Sequence, residues 1–501
     1  MSKKVTIIGS GFSGLSAACY LAKAGCDVTV LEKHNQVGGR ARKFEHQGFV
    51  YDMGPSWYWM PDIFDKFFAD FGKKVSDYYE LERLSPSYRI VYKDGPLDIP
   101  SDINELYNMF ERIEPGSAVK LKQFLKEAEF KYNIGMHDLV YKPGLSLTEF
   151  MNARFFKGIF KLDVFNSIAS HIRKSFSNPK LIQLLEFPVL FLGALPKNTP
   201  ALYSLMNYSD MIGGTWYPKG GMVSVVNGMH KLALELGVKF ELNVDVSKIN
   251  VTNNKASEVL VLDSALTPRR DDKKSYKGFD ALLSSADYNF TEQKLLEAPY
   301  RNYSAKYWET RKMAPSSLIF YIGVNKKLPN LLHHTLFFDE DFAKHSDEIY
   351  TDPKWPTNPL LYLSCTSQTD KTAPEGCENL MVLIPIAPDL KDDQKTNDRY
   401  FDMVISRIEK QIGVPFKDNI ILRRDYATSD FIKDYNSFKG NAYGLANTLS
   451  QTAILKPKLI NKKVKNLFYT GQLTVPGPGV PPCLISGKLV SELILKELNK
   501  N

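Results

Sequence analysis

The chain has 501 residues, 44% of them hydrophobic and 24% charged, which excludes a disordered polymer and allows two or three lobes with their own cores. Its five cysteines are scattered, with no C-x-x-C pair and no Cys/His cluster, so reduced thiols in a cytoplasmic protein are expected and no structural metal. The net charge of +8 favours an anionic surface, while the absence of zinc-finger or RNP-type signatures speaks against nucleic acid as a partner.

The opening run, Lys4-Val5-Thr6-Ile7-Ile8-Gly9-Ser10-Gly11-Phe12-Ser13-Gly14, reads as a buried strand, a tight glycine turn and a helix over about residues 13–24. It is a strand rather than a signal-peptide core, because glycines interrupt it at once. Gly9, Gly11 and Gly14 form G-x-G-x-x-G at the strand-to-helix junction. The first allows the turn, the second lets backbone approach a pyrophosphate, and the third lets helix and strand pack closely. A second strand, Asp27-Val28-Thr29-Val30-Leu31, ends at Glu32, eighteen positions after Gly14, the place of a ribose hydroxyl acceptor. Strand, turn, helix, strand and acid in this order predict a dinucleotide site at the helix N-terminus.

Val37-Gly38-Gly39-Arg40 follows, and then Gly48-Phe49-Val50-Tyr51-Asp52-Met53-Gly54-Pro55. This pattern resembles the second FAD motif of the amine-oxidase-like flavoproteins, which implies that the paired glycines bring backbone to the pyrophosphate with Arg40 as a charge partner. The alternative on pattern alone is a Gly-rich hairpin with a surface Arg. Trp57-Tyr58-Trp59-Met60-Pro61 reads as an aromatic wall of the same pocket or as core, the wall being favoured. Residues 83–101 alternate like strands of a new sheet, and residues 103–142 are amphipathic helix.

Residues 150–185 carry Phe155, Phe156, Ile159, Phe160, Val164, Phe165 and Ile168 among six basic residues and one acid, Asp163. This composition predicts either a helix lying in a membrane interface or one packed on a neighbouring lobe with a solvated basic face. Residues 187–195 are strongly apolar, too short to span a bilayer, and suit the wall of a greasy cavity or a core. Gly214-Thr215-Trp216-Tyr217-Pro218-Lys219-Gly220-Gly221-Met222 is a glycine-rich turn that brings backbone close to something flat, and a helix follows it. Residues 237–246 and 279–287 read as strands returning to the first domain, with a polar excursion at residues 263–277. The tail repeats the opening: Asn466-Leu467-Phe468-Tyr469-Thr470-Gly471, then Pro476-Gly477-Pro478-Gly479-Val480-Pro481, then a long helix whose N-terminus points at a polar edge.

The two N-terminal glycine motifs resemble the amine-oxidase-like flavoproteins. More specific are Trp216 to Gly221, Leu331-Leu332-His333-His334-Thr335-Leu336-Phe337-Phe338, Gly376-Cys377-Glu378-Asn379-Leu380, Asn441-Ala442-Tyr443-Gly444-Leu445-Ala446 and the tail from Gly471 to Gly487. Together they resemble the bacterial-type phytoene desaturases along nearly the full chain. The tail departs at Gly471-Gln472-Leu473-Thr474 and Pro476-Gly477-Pro478-Gly479, keeping the glycines that carry the geometry.

The resemblance implies an α/β, Rossmann-like FAD-binding domain over residues 1–85, 214–300 and 440–501, with a discontinuous α+β substrate domain over 86–213 and 301–439. Within the latter, 150–185 is the candidate membrane-associating segment. FAD is the implied cofactor, held by Gly9, Gly11, Phe12, Ser13, Gly14, Glu32, Lys33, Gly38, Gly39, Arg40, Pro55, Ser56, Trp57, Val246, Gly471, Pro478, Gly479 and Val480. Trp216, Gly220 and Gly221 are the flavin-facing candidates, no catalytic acid or base is assigned, and His333 and His334 read as structural. The implied reaction is desaturation of a long apolar carotenoid, 15-cis-phytoene taken toward lycopene, by a protein peripheral to the cytoplasmic membrane. The final electron acceptor, oxygen or a quinone, stays open. Desaturation of dehydrosqualene or of a hydroxylated carotenoid is the neighbouring alternative. Further off are an amine oxidase and a flavin-free prenyl-binding protein of the Rab GDP-dissociation inhibitor type.

Overall fold

The computed structural model describes residues 2–146, 149, 163, 166–193, 195–263 and 275–500. Strand β1 (Lys4–Ile8), helix α1 (Phe12–Lys23) and strand β2 (Asp27–Leu31) open an α/β, Rossmann-like unit. Its sheet has five strands in the order Leu467–Tyr469, Ala281–Ser284, β1, β2, Lys239–Glu241, all parallel. Parallel strands must be covered on both faces, and β1 is buried from Val5 to Ile8 accordingly.

The two ends of the chain meet here. The terminal helix Val480–Leu498 lies against α1 so closely that a Cβ on Gly487 would stand 2.6 Å from Ser13 O. Ser16 Oγ donates to Leu484 O at 2.7 Å across the same contact. The expected single strand at 237–246 is instead two, Lys239–Glu241 and Val244–Thr252, because the chain turns at Asn243 with φ of 59°. The second of these opens a three-stranded antiparallel sheet with Lys255–Asp263 and Ser275–Lys277.

A seven-stranded mixed sheet forms the other layer, ordered Ile420–Tyr426, Ser316–Val324, Glu378–Ile386, Leu361–Ser364, His334–Phe337, Tyr88–Tyr92, Gly95–Ile99. Only the pairing of His334–Phe337 with Tyr88–Tyr92 is parallel. Ser316–Val324 is buried at every position because both of its faces are covered. The helix Gln394–Ile412 covers one face, started by Asp393, whose carboxylate accepts from Thr396 N at 2.7 Å, and stopped by Gly413 at φ 72°. Phe401, Val404 and Ile408 of that helix join Phe320 and Ile322 in one core. The opposite face of the sheet looks toward the Rossmann unit, and the cavity described below lies between them.

The reading of 150–185 as membrane-facing is corrected in its second half. Ile168, Ile172, Phe176, Leu181, Leu184 and Leu185 all turn into the main core, where water is excluded by packing. Two of the basic residues there have local partners: Arg173 Nε donates to Glu186 at 3.0 Å, and Lys180 pairs with Asp94 at 2.6 Å. Residues 150–162 and 164–165, which carry Phe155, Phe156 and Phe160, lie outside the described residues. No described helix is long and apolar enough to cross a membrane.

Candidate functional site: a nucleotide cradle opening into an apolar cavity

The end of β1 turns at Gly9, whose φ of 92° favours glycine. Gly9 N donates to Leu31 O at 2.8 Å, fixing the turn against β2. Gly14 has no room for a side chain: a Cβ would stand 2.2 Å from Gly9 O. It therefore supports the turn from behind and does not line the cavity, which corrects its place among the cofactor contacts. Gly11 is the opposite case, since a Cβ there would meet nothing within 4 Å and would point into open space. The first-turn N–H groups of α1 have no intrahelical acceptor and face the same space.

Glu32 closes the cradle. Its carboxylate is buried and held by three donors, Ser10 N at 2.9 Å, Ser10 Oγ at 2.6 Å and His34 N at 3.0 Å. The Gly38-Gly39-Arg40 loop is tied to the same turn by Gly38 N, which donates to Ser10 O at 2.9 Å. Arg40 passes over the Tyr435 ring at 5.0 Å and donates from Nη2 to Ser437 Oγ at 3.0 Å, while its Nε is buried without a partner among the described residues. Gly54 makes this possible, because a Cβ there would meet Arg40 O at 2.3 Å. The acid of the same motif, Asp52, does not touch the cradle. It caps the helix Met222–Glu235 by accepting from Met222 N at 2.7 Å and Val223 N at 3.0 Å.

These elements border a cavity of about 480 Å³. Gly9, Gly11, Phe12, Ser13, Glu32, Lys33, Gly38, Gly39, Arg40, Pro55, Ser56, Trp57, Val246, Gly471, Pro478, Gly479 and Val480 all line it. Trp216, Gly220 and Gly221 do not, and the flavin-facing role expected of them is withdrawn. The reason is local: Trp216 pairs with Arg83 in a short two-stranded ladder, and Gly220 N donates to Asp370 Oδ2 at 2.6 Å. Gly221 sits against the Asp52 carboxylate, where a Cβ would meet Oδ2 at 2.6 Å. At the start of the terminal helix, Pro481 and Pro482 carry no N–H, so that helix offers only the donors around Val480.

Beyond Pro55 the lining turns apolar. Trp57, Trp59 and Met60 form one wall, as expected, whereas Tyr58 turns away to stack on Phe64 at 4.3 Å. Phe187 and Leu190 reach the cavity from the apolar stretch, while Val189 is core. Trp57 stacks on His334, with centroids 4.2 Å apart and planes 9° apart. His334 and His333 are held neutral by burial, His333 down at about 3 and His334 well below the ordinary imidazole range. Their Nδ1 atoms bond Tyr362 Oη at 2.7 Å and Thr369 Oγ1 at 2.8 Å, and neither histidine lines the large cavity.

Sequence reasoning missed His345, Tyr350, Tyr362 and Tyr443 on the apolar side and Ser285, Ala286 and Asp287 on the nucleotide side. The strand ending at Ser284 was visible, but only its parallel pairing beside β1 brings its end to the cradle. His345 is neutral, pushed down to about 4 by burial. Its Nε2–H donates to Pro385 O at 2.9 Å, and its Nδ1 accepts from Leu360 N at 3.0 Å. The charged lining residues, Glu32, Lys33, Arg40, Asp245, Asp287 and Asp434, all lie on the nucleotide side.

A family profile described as "Flavin containing amine oxidoreductase" matches residues 12–495. The chain belongs to that family. FAD is its cofactor, and it is an oxidoreductase. The residues present fit the group: open space at Gly11, a buried Nε on Arg40 without a partner among the described residues, and a buried acid, Glu32, at the end of β2. Over 497 residues the enzyme is 40% identical to a protein of Haloarcula japonica named "Carotenoid 3,4-desaturase", covering 99% of this chain and 98% of that one. It is 31% identical to a Staphylococcus haemolyticus protein named "4,4'-diapophytoene desaturase (4,4'-diaponeurosporene-forming)", with 99% of each chain covered. Among solved structures, an oxidoreductase from Methanosarcina mazei shares the fold, with a TM-score of 0.63, 16% identity and coverage of 98% of this chain and 100% of that one.

Proposed function

We propose that the enzyme is a carotenoid desaturase that introduces a carbon–carbon double bond into a long apolar polyene. The observation that carries this is the split in the cavity lining: every charged side chain is at the nucleotide side, and the other arm is mainly aromatic and aliphatic, its polar groups being neutral serine, tyrosine and histidine side chains. The one titratable imidazole in that arm, His345, has both nitrogens occupied. A protonated amine would need an anionic group there, and that arm carries none; a hydrocarbon needs none.

In this reading Gly9, Gly11, Ser13, Gly38, Gly39 and Arg40 hold the pyrophosphate and Glu32 accepts from the ribose. Val246, Gly471, Gly479 and Val480 complete the cradle. FAD supplies the two-electron oxidant for removal of hydrogen from a CH–CH unit. Trp57, Trp59, Met60 and Phe187 orient the chain and keep water from a carbon centre that becomes electron-poor. An oily substrate of this kind resides in a membrane, so the enzyme works attached to its surface.

The sequence resemblance implies the conversion of 15-cis-phytoene stepwise toward lycopene. A second reading, unsaturation at the 3,4 position of a carotenoid, is favoured by the identity to the Haloarcula relative, 40% against 31% for the staphylococcal one. Product analysis decides. The purified holoenzyme is incubated in liposomes with phytoene or with lycopene, and products are separated by chromatography. New, longer-wavelength carotenoids from either substrate support the reading. No product from any linear carotenoid, with peroxide formed from amines, refutes it.

A further inference from the structure

The segment Trp216-Tyr217-Pro218-Lys219-Gly220-Gly221 lies outside the cofactor cavity, and its surroundings assign it different work. Behind the cavity wall is a second, small cavity of about 20 Å³ lined by Tyr51, Asp52, Ser56, Tyr217, Ser364 and Asn379 among others. One water needs about 10–15 Å³ and two to four polar partners, so this space suits a single molecule. Tyr51 Oη, buried beside it, has no hydrogen-bond partner among the described residues.

Two residues connect this pocket to the outside on either side. Ser56 lines both it and the large cavity. Tyr217 Oη donates to Asp370 Oδ2 at 3.2 Å, and that carboxylate also accepts from Gly220 N at 2.6 Å, beside the exposed Lys219 and Gly220. Asp52 lines the small pocket together with both of them.

We propose that this pocket holds one water and that Ser56, the water, Asp52 and Tyr217 form a proton exit from the substrate cavity to Asp370 at the surface. The inference rests on the desaturase reading, because forming a double bond from CH–CH releases one proton in addition to the hydride that FAD takes up. The C–H electron pair left by that proton becomes the second bond of the alkene. The proton passes to Ser56 Oγ as the Ser56 proton moves to the water, and the water gives one of its own to an Asp52 oxygen. By the same exchange through Tyr217 Oη it reaches Asp370 and then bulk water, leaving every protein group as it began. Burial pushes the Asp52 carboxyl up to about 6, so it takes a proton near neutral pH. The titratable groups facing it, Tyr51, Tyr217, Tyr321 and Tyr362, are all raised by burial and stay neutral, and Asp370 lies beyond Tyr217, which donates to it.

Two measurements test this. A high-resolution crystal structure of the holoenzyme is expected to show one ordered water within hydrogen-bond distance of Tyr51 Oη and Asp52; a pocket free of density there overturns the proposal. Anaerobic single-turnover bleaching of the flavin by a carotenoid in liposomes is then compared for wild type, Tyr217→Phe and the surface variant Asp370→Asn, each checked for a native flavin spectrum. Loss of one relay link is expected to slow the reaction at least about tenfold and to enlarge the solvent deuterium isotope effect. Wild-type rates and isotope effects in both variants overturn the conduit. Failure of the wild type to bleach with any carotenoid sinks the desaturase reading instead, and the crystallographic water still judges the pocket.

Discussion

Two glycines three residues apart in the first turn make opposite demands, and substituting each separates cofactor binding from folding. Gly11 is in extended backbone, with φ of −68° and ψ of 176°, and a Cβ there meets no protein atom within 4 Å. Gly11→Val should leave the apoprotein as stable as wild type within about 0.5 kcal/mol, as for a surface substitution. The branched side chain stands where the pyrophosphate approaches the helix start and denies it one or two charge-assisted hydrogen bonds. At about 1.5–3 kcal/mol each, the loss is roughly 3 kcal/mol, or about two orders of magnitude in the Kd for FAD. Gly14→Ala is the converse. Its Cβ falls 2.2 Å from Gly9 O and 3.1 Å from Ser285 Oγ, so backbone must move. Overpacking of this kind costs about 1–3 kcal/mol, and a carbonyl oxygen yields less readily than a side chain, so the upper end is expected. Urea denaturation of the apoproteins and titration by quenching of flavin fluorescence measure both quantities. A Gly11→Val protein that binds FAD with wild-type affinity refutes the placement of the pyrophosphate.

Glu32→Ala removes the acceptor for Ser10 N, Ser10 Oγ and His34 N, and should cost about 2–3 kcal/mol of apoprotein stability besides weakening FAD; unchanged denaturation would show the turn to be held otherwise. Asp52 is raised by burial to about 6 from 3.8, so the folded state binds its proton more tightly than the unfolded one. Its contribution is fully present below about pH 4 and is lost as pH rises through 6, by about 3 kcal/mol in all. The stability of Asp52→Asn relative to wild type should therefore improve from pH 4 to pH 8, and a flat difference contradicts the burial argument. Trp57→Ala removes the cavity wall stacked on His334 and should raise KM for a carotenoid about tenfold or more while FAD content persists; substrate titration in liposomes checks it. Charge reversal at Lys157 and Lys161, in the first half of the basic stretch, should weaken sedimentation with anionic vesicles, and unchanged sedimentation removes that segment from any membrane role.

Much of the nucleotide side was legible in the linear chain because its determinants are local. A glycine that needs φ above zero, a glycine with no room for Cβ and an acid at a strand end are set by residues within one βα unit, from Gly9 to Glu32. The acid of the second motif was visible too, but its work was not. Asp52 caps a helix 170 positions away, a partner that only the fold supplies.

The same limit explains Trp216, Gly220 and Gly221, where glycine richness reported a tight turn without saying what the turn faces. It explains the stretch at 166–185 as well, since amphipathic spacing shows that a face is apolar but not what covers it, and here the core does. The apolar arm of the cavity is wholly tertiary. Trp57, Phe187, His345, Tyr362 and Tyr443 come from distant segments and share a surface because two sheets and their connecting helices close around it. Periodicity and turn chemistry act over a few residues, so the sequence by itself determines the cradle and the cofactor class. The shape of the space beside them depends on long-range packing, which the folded chain alone decides.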